Sequence, residues 1–78
     1  MSKFFQINPN YFRAYINLGA INKELQKHDE ALNYYKKAIE INPNNSKAQN
    51  DLGVIFQELG DYQKAKNCYE KAISIDPN

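Results

Sequence analysis

Apolar residues fall along the chain at helical spacing, with polar residues between them. Ala14, Leu18, Ile21 and Leu25 lie three or four residues apart, and from Tyr35 the residues Ala31, Ala38 and Ile39 lie three or four away; each set forms one stripe along a helix. The pattern predicts helices over 11–25, 29–42, 46–59 and 62–75. Gly60-Asp61 interrupts the second pair, with Asp61 placed to cap the helix that follows. Asn8-Pro9, Asn42-Pro43 and Asp76-Pro77 end the helices before them, because the residue preceding proline avoids the αR region. The short connections make sequential helices antiparallel.

The pattern repeats. A shift of 34 residues aligns 12–44 with 46–78, and 15 of those 33 pairs are identical, among them Leu18 with Leu52, Gly19 with Gly53, Ala31 with Ala65, Tyr35 with Tyr69 and Pro43 with Pro77. The same shift lays 1–10 on 35–44, where Lys3, Ile7, Asn8, Pro9 and Asn10 meet identical residues. The expected organisation is therefore the tail of a preceding repeat over 1–11, then repeats over 12–45 and 46–78. Self-similarity at this period marks a solenoid, whose units bury their apolar faces by stacking on neighbours. Gly19 and Gly53 each cost about 1 kcal/mol of helix propensity relative to alanine, so their recurrence within helices calls for close helix contact.

These residues resemble the tetratricopeptide repeat family, whose alternation of aromatic, Leu-Gly, alanine, aromatic and proline is seen as Tyr15-x-x-Leu18-Gly19, Ala31-x-x-x-Tyr35 and Pro43. It returns as Leu52-Gly53-x-x-Phe56, Ala65-x-x-x-Tyr69 and Pro77, so that the resemblance covers essentially the whole chain. It implies an all-α fold, a right-handed superhelical solenoid of antiparallel helix hairpins. Two departures stand out: Asn22 and Gln49 occupy aromatic positions, and the first turn reads Gln26-Lys27-His28 where the second reads Gly60-Asp61-Tyr62. The first repeat should be looser, with Asn22 either bonding a nearby backbone group or sitting at a wet edge, since an unpaired buried amide costs a few kcal/mol.

In this family the first helices of successive repeats line a concave groove that holds a peptide or protein segment. The resemblance places Arg13, Asn17, Ala20, Lys23 and Glu24 in that groove from one repeat, and Lys47, Asn50, Asp51, Val54, Gln57 and Glu58 from the next. The plainer reading of each residue alone is a solvated polar face. Arg13-x-x-x-Asn17 resembles half of the two-basic, two-Asn clamp with which some tetratricopeptide domains hold a peptide carboxylate. Lys47 fits that pattern, but Asp51 stands where it wants asparagine and would set carboxylate against carboxylate. Asn17 also resembles the groove asparagine that holds peptide backbone in O-linked N-acetylglucosamine transferase, for which an amide is suited because it both donates and accepts.

Composition excludes several functions. Ten Lys and Arg balance nine Asp and Glu in an interspersed pattern, leaving no basic footprint for nucleic acid. No apolar run approaches the roughly 20 residues that span a bilayer, and no leader-like h-region opens the chain, so a cytoplasmic location is expected. Cys68 is the only cysteine and His28 the only histidine, which leaves no spacing for a metal site or a nucleophile with its base. Cys68 reads as a packing residue and His28 as a turn residue. Glu24 and Glu58 recur in register, yet nothing accompanies them as nucleophile or phosphate loop. No catalysis and no cofactor are expected.

The leading expectation is a protein-interaction module, with a self-assembling structural unit and the targeting arm of a larger enzyme as alternatives. Self-assembly draws on the ends: Phe4 and Phe5 on one side, and Tyr69, Ala72, Ile73 and Ile75 on the other, keep the apolar character of an internal repeat. Such faces invite homo-oligomers by end stacking or hairpin exchange.

Overall fold

A computed structural model describes residues 9–77, and they form four helices joined by short turns: α1 (Pro9–Glu24), α2 (His28–Ile41), α3 (Ser46–Glu58) and α4 (Tyr62–Ile75). The fold is all-α, as expected. The largest boundary difference is at α1, which begins at Pro9, two residues before the predicted start; every other helix end falls within one residue of its expected place. Proline suits a first helical position because its missing N–H would find no partner there. Phe4 and Phe5 lie outside the described residues.

The closest packing is within the hairpins α1–α2 and α3–α4; α2 then lies against α3, and α1 touches α3 only lightly. Two glycines permit the close approach within each hairpin. A Cβ built on Gly19 would fall 2.8 Å from Tyr35 Cε2, and one on Gly53 would fall 2.7 Å from Tyr69 Cε1. Any side chain there would collide with a ring.

One apolar cluster runs across the inner helices, joining Ala31 and Tyr35 of α2, Leu52, Ile55 and Phe56 of α3, and Ala65 and Cys68 of α4. Tyr35 and Ile55 are its largest fully buried side chains. Helix α1 contributes no buried apolar side chain among the described residues; its stripe residues Leu18 and Ile21 are exposed, as is Leu25 just past its end. Gln49, at an aromatic position, is buried, and no buried side-chain nitrogen or oxygen among the described residues lacks a partner.

The two hairpin turns share one hydrogen-bond scheme with different residues. Lys27 N–H donates to Asn22 O at 2.8 Å and Gln26 N–H to Lys23 O at 3.0 Å; Asp61 N–H donates to Phe56 O at 2.9 Å and Gly60 N–H to Gln57 O at 3.0 Å. This is the Schellman closure, which needs a left-handed residue just beyond the helix. Gly60 supplies it at φ +84°, whereas Gln26 is forced to φ +64°. The next residue caps the following helix in one hairpin only: Asp61 Oδ1 accepts from Lys64 N–H at 3.3 Å, while Lys27 makes no side-chain cap. Asn45 caps α3, accepting from Ala48 N–H at 2.8 Å, an interaction worth about 1 kcal/mol. Asn22 Nδ2 donates to Leu18 O at 2.8 Å, the first of the two placements expected for it.

Candidate functional site

The predicted groove residues separate into those the fold leaves open and those it engages. Arg13, Asn17 and Lys47 come together at a depression of about 500 Å³, where Phe12 and Ile16 of α1 and Asn42 and Asn45 of the α2–α3 turn complete the wall. The register explains the grouping. Positions 12, 13, 16 and 17 fall on one side of α1, and the cap residue Asn45 starts α3 so that Lys47 lies in its first turn. Neither Asn42 nor Asn45 was foreseen, although an asparagine beside a proline turn and one three residues before Ala48 N–H are both turn and cap signals.

Arg13 is exposed and makes no ion pair or hydrogen bond with another described residue. Lys47 Nζ lies 3.3 Å from Asp51 Oδ2, an ion pair one helical turn long. Asp51 is thereby turned to internal work, since its Oδ2 also accepts the Tyr35 hydroxyl at 3.2 Å. Burial lifts the Tyr35 phenol well above its ordinary value of 10.0, and the Asp51 carboxylate adds to the rise by its charge and its hydrogen bond. The residue expected to oppose a bound carboxylate is half-buried and links α2 to α3.

At the other end of the same helices, Glu58 Oε1 meets His28 Nε2 at 2.9 Å. His28 opens α2 and fastens it to the end of α3, a cross-helix role that its place in a turn did not reveal. Gln57 Oε1 accepts the Tyr69 hydroxyl at 2.7 Å. Partial burial raises the Tyr69 phenol, with smaller contributions from Cys68 and Glu58. Ala20, Lys23 and Val54 are half-buried, and Glu24 is exposed.

Asn50 opens elsewhere. With Ser46 and Lys47 it lines a shallower depression of about 320 Å³, closed on the other side by Tyr69, Ala72, Ile73 and Asp76 of α4 and its end. Residues read as groove and residues read as a self-association surface therefore share one wall. Ile75 is half-buried nearby in sequence. Cys68 is buried, and burial raises its thiol against a weaker opposing pull from Lys71. A thiol held protonated is a poor nucleophile. Among the described residues no group of three acidic, cysteine or histidine side chains is disposed to hold a metal ion.

The family model described as tetratricopeptide repeat matches residues 12–78. The chain belongs to the tetratricopeptide repeat family. No curated protein matches the chain significantly in sequence. Among solved structures, a crystal structure of MamA is 33% identical and superposes with a TM-score of 0.83, the match covering 85% of this chain and 39% of that one. A second, MamA MSR-1 C2, is 24% identical with a TM-score of 0.82 over 97% of this chain and 42% of that one, a likeness of fold. The chain thus spans about two fifths of these relatives. As a tetratricopeptide repeat protein it carries the fold of a protein-interaction scaffold, and none of its described helices is long and apolar enough to cross a membrane.

Proposed function

We propose that the chain binds an extended peptide or protein segment on the face shared by α1 and α3, with the depression around Arg13 and Lys47 as its anchor. Residues 12–45 and 46–78 act as successive repeats in this reading. The observation that carries it is the depression itself: an unpaired guanidinium, a lysine ammonium and the amides of Asn17, Asn42 and Asn45 stand around the apolar side chains of Phe12 and Ile16. Amides hold peptide backbone without regard to sequence, since each both donates and accepts. The cations select an acidic group among the side chains that the apolar wall admits. Catalysis and cofactors play no part.

The charges are mixed, so binding should weaken only modestly with salt, unlike that of a phosphate-backbone binder. Selection of peptides from a random displayed library against the chain tests the reading. Enriched peptides should carry an acidic residue beside an apolar one, and should bind Arg13→Ala or Asn17→Ala at least several-fold more weakly while tolerating Lys37→Ala on α2. Affinity unchanged by alanine at Arg13, Asn17, Lys47 and Asn50 would place the site elsewhere.

A further inference from the structure

Residues 13–17 of α1 and 47–51 of α3 are one construction repeated. Each sets a basic residue one helical turn before a polar one, Arg13 before Asn17 and Lys47 before Asp51. The change from amide to carboxylate decides the state of the cation. Arg13 makes no ion pair with another described residue, and residues 1–8 contain neither Asp nor Glu to supply one. Lys47 Nζ instead lies 3.3 Å from Asp51 Oδ2.

The two members of that pair are not equally free. The Lys47 side chain is 73% exposed, and a surface pair of this kind holds an ammonium loosely. The Asp51 carboxylate is 17% exposed and is fixed from behind, since its Oδ2 also accepts the hydroxyl of the fully buried Tyr35. Their separation is well inside the screening length of about 8 Å at physiological salt. Any group that meets the Lys47 ammonium therefore meets the Asp51 charge as well. Arg13, Asn17 and Lys47 line the depression and Asp51 does not, so Asp51 acts on it through Lys47.

We propose that Asp51 sets the charge of the segment the depression accepts: one carboxylate side chain beside apolar residues, with a second adjacent acid disfavoured. The inference rests on the peptide reading above and narrows its partner. With Lys47 compensated, Arg13 is the one uncompensated cation, and its planar guanidinium suits a single carboxylate through two parallel hydrogen bonds. Phe12 and Ile16 receive the apolar neighbours. A second acid would give up water to reach Lys47 and find its charge already answered, which sets carboxylate near carboxylate. Asp51 is thus a positioning residue for specificity, and Asn17, its counterpart in α1, leaves Arg13 free.

Two end-blocked peptides test it by fluorescence anisotropy: one enriched from the displayed library and carrying a single glutamate, the other with a second glutamate beside the first. The chain should bind the single-acid peptide more tightly. Asp51→Asn should tighten the two-acid peptide several-fold and erase that order, because the amide oxygen still accepts the Tyr35 hydroxyl while Lys47 is released. Adding Lys47→Met should cancel the gain. Tyr35→Phe should keep the parent order, since the Asp51 charge remains; if Asp51 served only to hold α2 on α3, Tyr35→Phe would shift the order and Asp51→Asn would not. Asn17→Asp, at an exposed position away from the Tyr35 bond, tests the same claim in the other repeat should Asp51→Asn fold poorly. By compensating Arg13 it should weaken the single-acid peptide several-fold more than Asn17→Ala does. An unchanged order in Asp51→Asn, a gain that survives Lys47→Met, or Asn17→Asp no weaker than Asn17→Ala would overturn the proposal. Enriched peptides that favour two adjacent acids would overturn it and leave the peptide reading standing, whereas a library that enriches nothing overturns both.

Discussion

The hairpins α1–α2 and α3–α4 share a turn geometry and a glycine–tyrosine contact, yet differ in how well their residues suit them. In the second, Gly60 takes the left-handed position and Asp61 caps the next helix. In the first, Gln26 holds a φ of +64° and Lys27 provides no cap. The packing differs in the opposite sense on one helix, for Tyr35 is fully buried between its own hairpin and α3, while Tyr69 is half-exposed. A repeat is thus stabilised by two separable means, its own turn chemistry and coverage by its neighbour. The first hairpin relies on α3, and the second relies on itself.

The largest test of this difference is alanine at the helix glycines. Gly19→Ala drives a methyl into the fixed ring of Tyr35, and the overpacking should exceed the propensity gained, for a net loss of about 1–2 kcal/mol in urea denaturation. Gly53→Ala should cost less, although its Cβ comes as close to a ring, because the half-buried Tyr69 can swing outward at the loss of its bond to Gln57, leaving only the tight 3.2 Å approach to Cys68 Cβ. Equal losses would show that burial of the ring does not matter.

Removing the tyrosine hydroxyls comes next. Tyr35→Phe should cost about 1 kcal/mol through the bond to the Asp51 carboxylate, and Tyr69→Phe about half as much. The raised Tyr35 phenol carries a pH signature too. An unfolded chain releases this proton near 10.0, while the folded chain retains it, so the folded state binds more protons above that pH and stability falls as pH rises further. Tyr35→Phe should therefore flatten the alkaline loss that the parent shows in melts above pH 10.0, and Tyr69→Phe should flatten it less.

Turn exchanges should have smaller effects and opposite signs in the two hairpins. Gln26→Gly relieves a left-handed side-chain residue and should gain about 0.5–1 kcal/mol, with Lys27→Asp adding a similar amount as a cap. The mirror changes Gly60→Gln and Asp61→Ala should each lose about 1 kcal/mol. Smallest is the chemistry of Cys68, whose buried thiol should react with neutral alkylating reagents far more slowly in the folded chain than in urea. Rapid labelling of the folded chain would mean that α4 opens readily.

Most of the architecture was legible in the spacing. Leu18, Gly19, Ala31 and Tyr35 announce the hairpin because small and aromatic residues recur where helices must approach, and Asp61 announces its cap. What escaped was partnership across helices. Asp51 reads as a groove ligand since it shares a helix face with Lys47 and Asn50, but nothing in its own neighbourhood of sequence shows that Tyr35, 16 residues away, reaches it. His28 likewise looks like a turn residue until Glu58, 30 residues on, is brought beside it. The depression around Arg13 was half visible: α1 and α3 supplied its charged residues by register, whereas Asn42 and Asn45 enter only through the path of the turn. The stripe of α1 was legible as apolar, but its exposure follows from what lies against it, which periodicity does not state.

Native-state hydrogen exchange at micromolar concentration tests the central contrast most directly, because amide protection reports opening segment by segment. Helix α1 buries no apolar side chain and is followed by a strained, uncapped turn, whereas α3 carries Leu52, Ile55 and Phe56 into the shared cluster. Amides of α1 should exchange by local opening well before those of α3 and α4, with α2 intermediate through Tyr35. Protection in α1 equal to or greater than that in α3 would contradict the account.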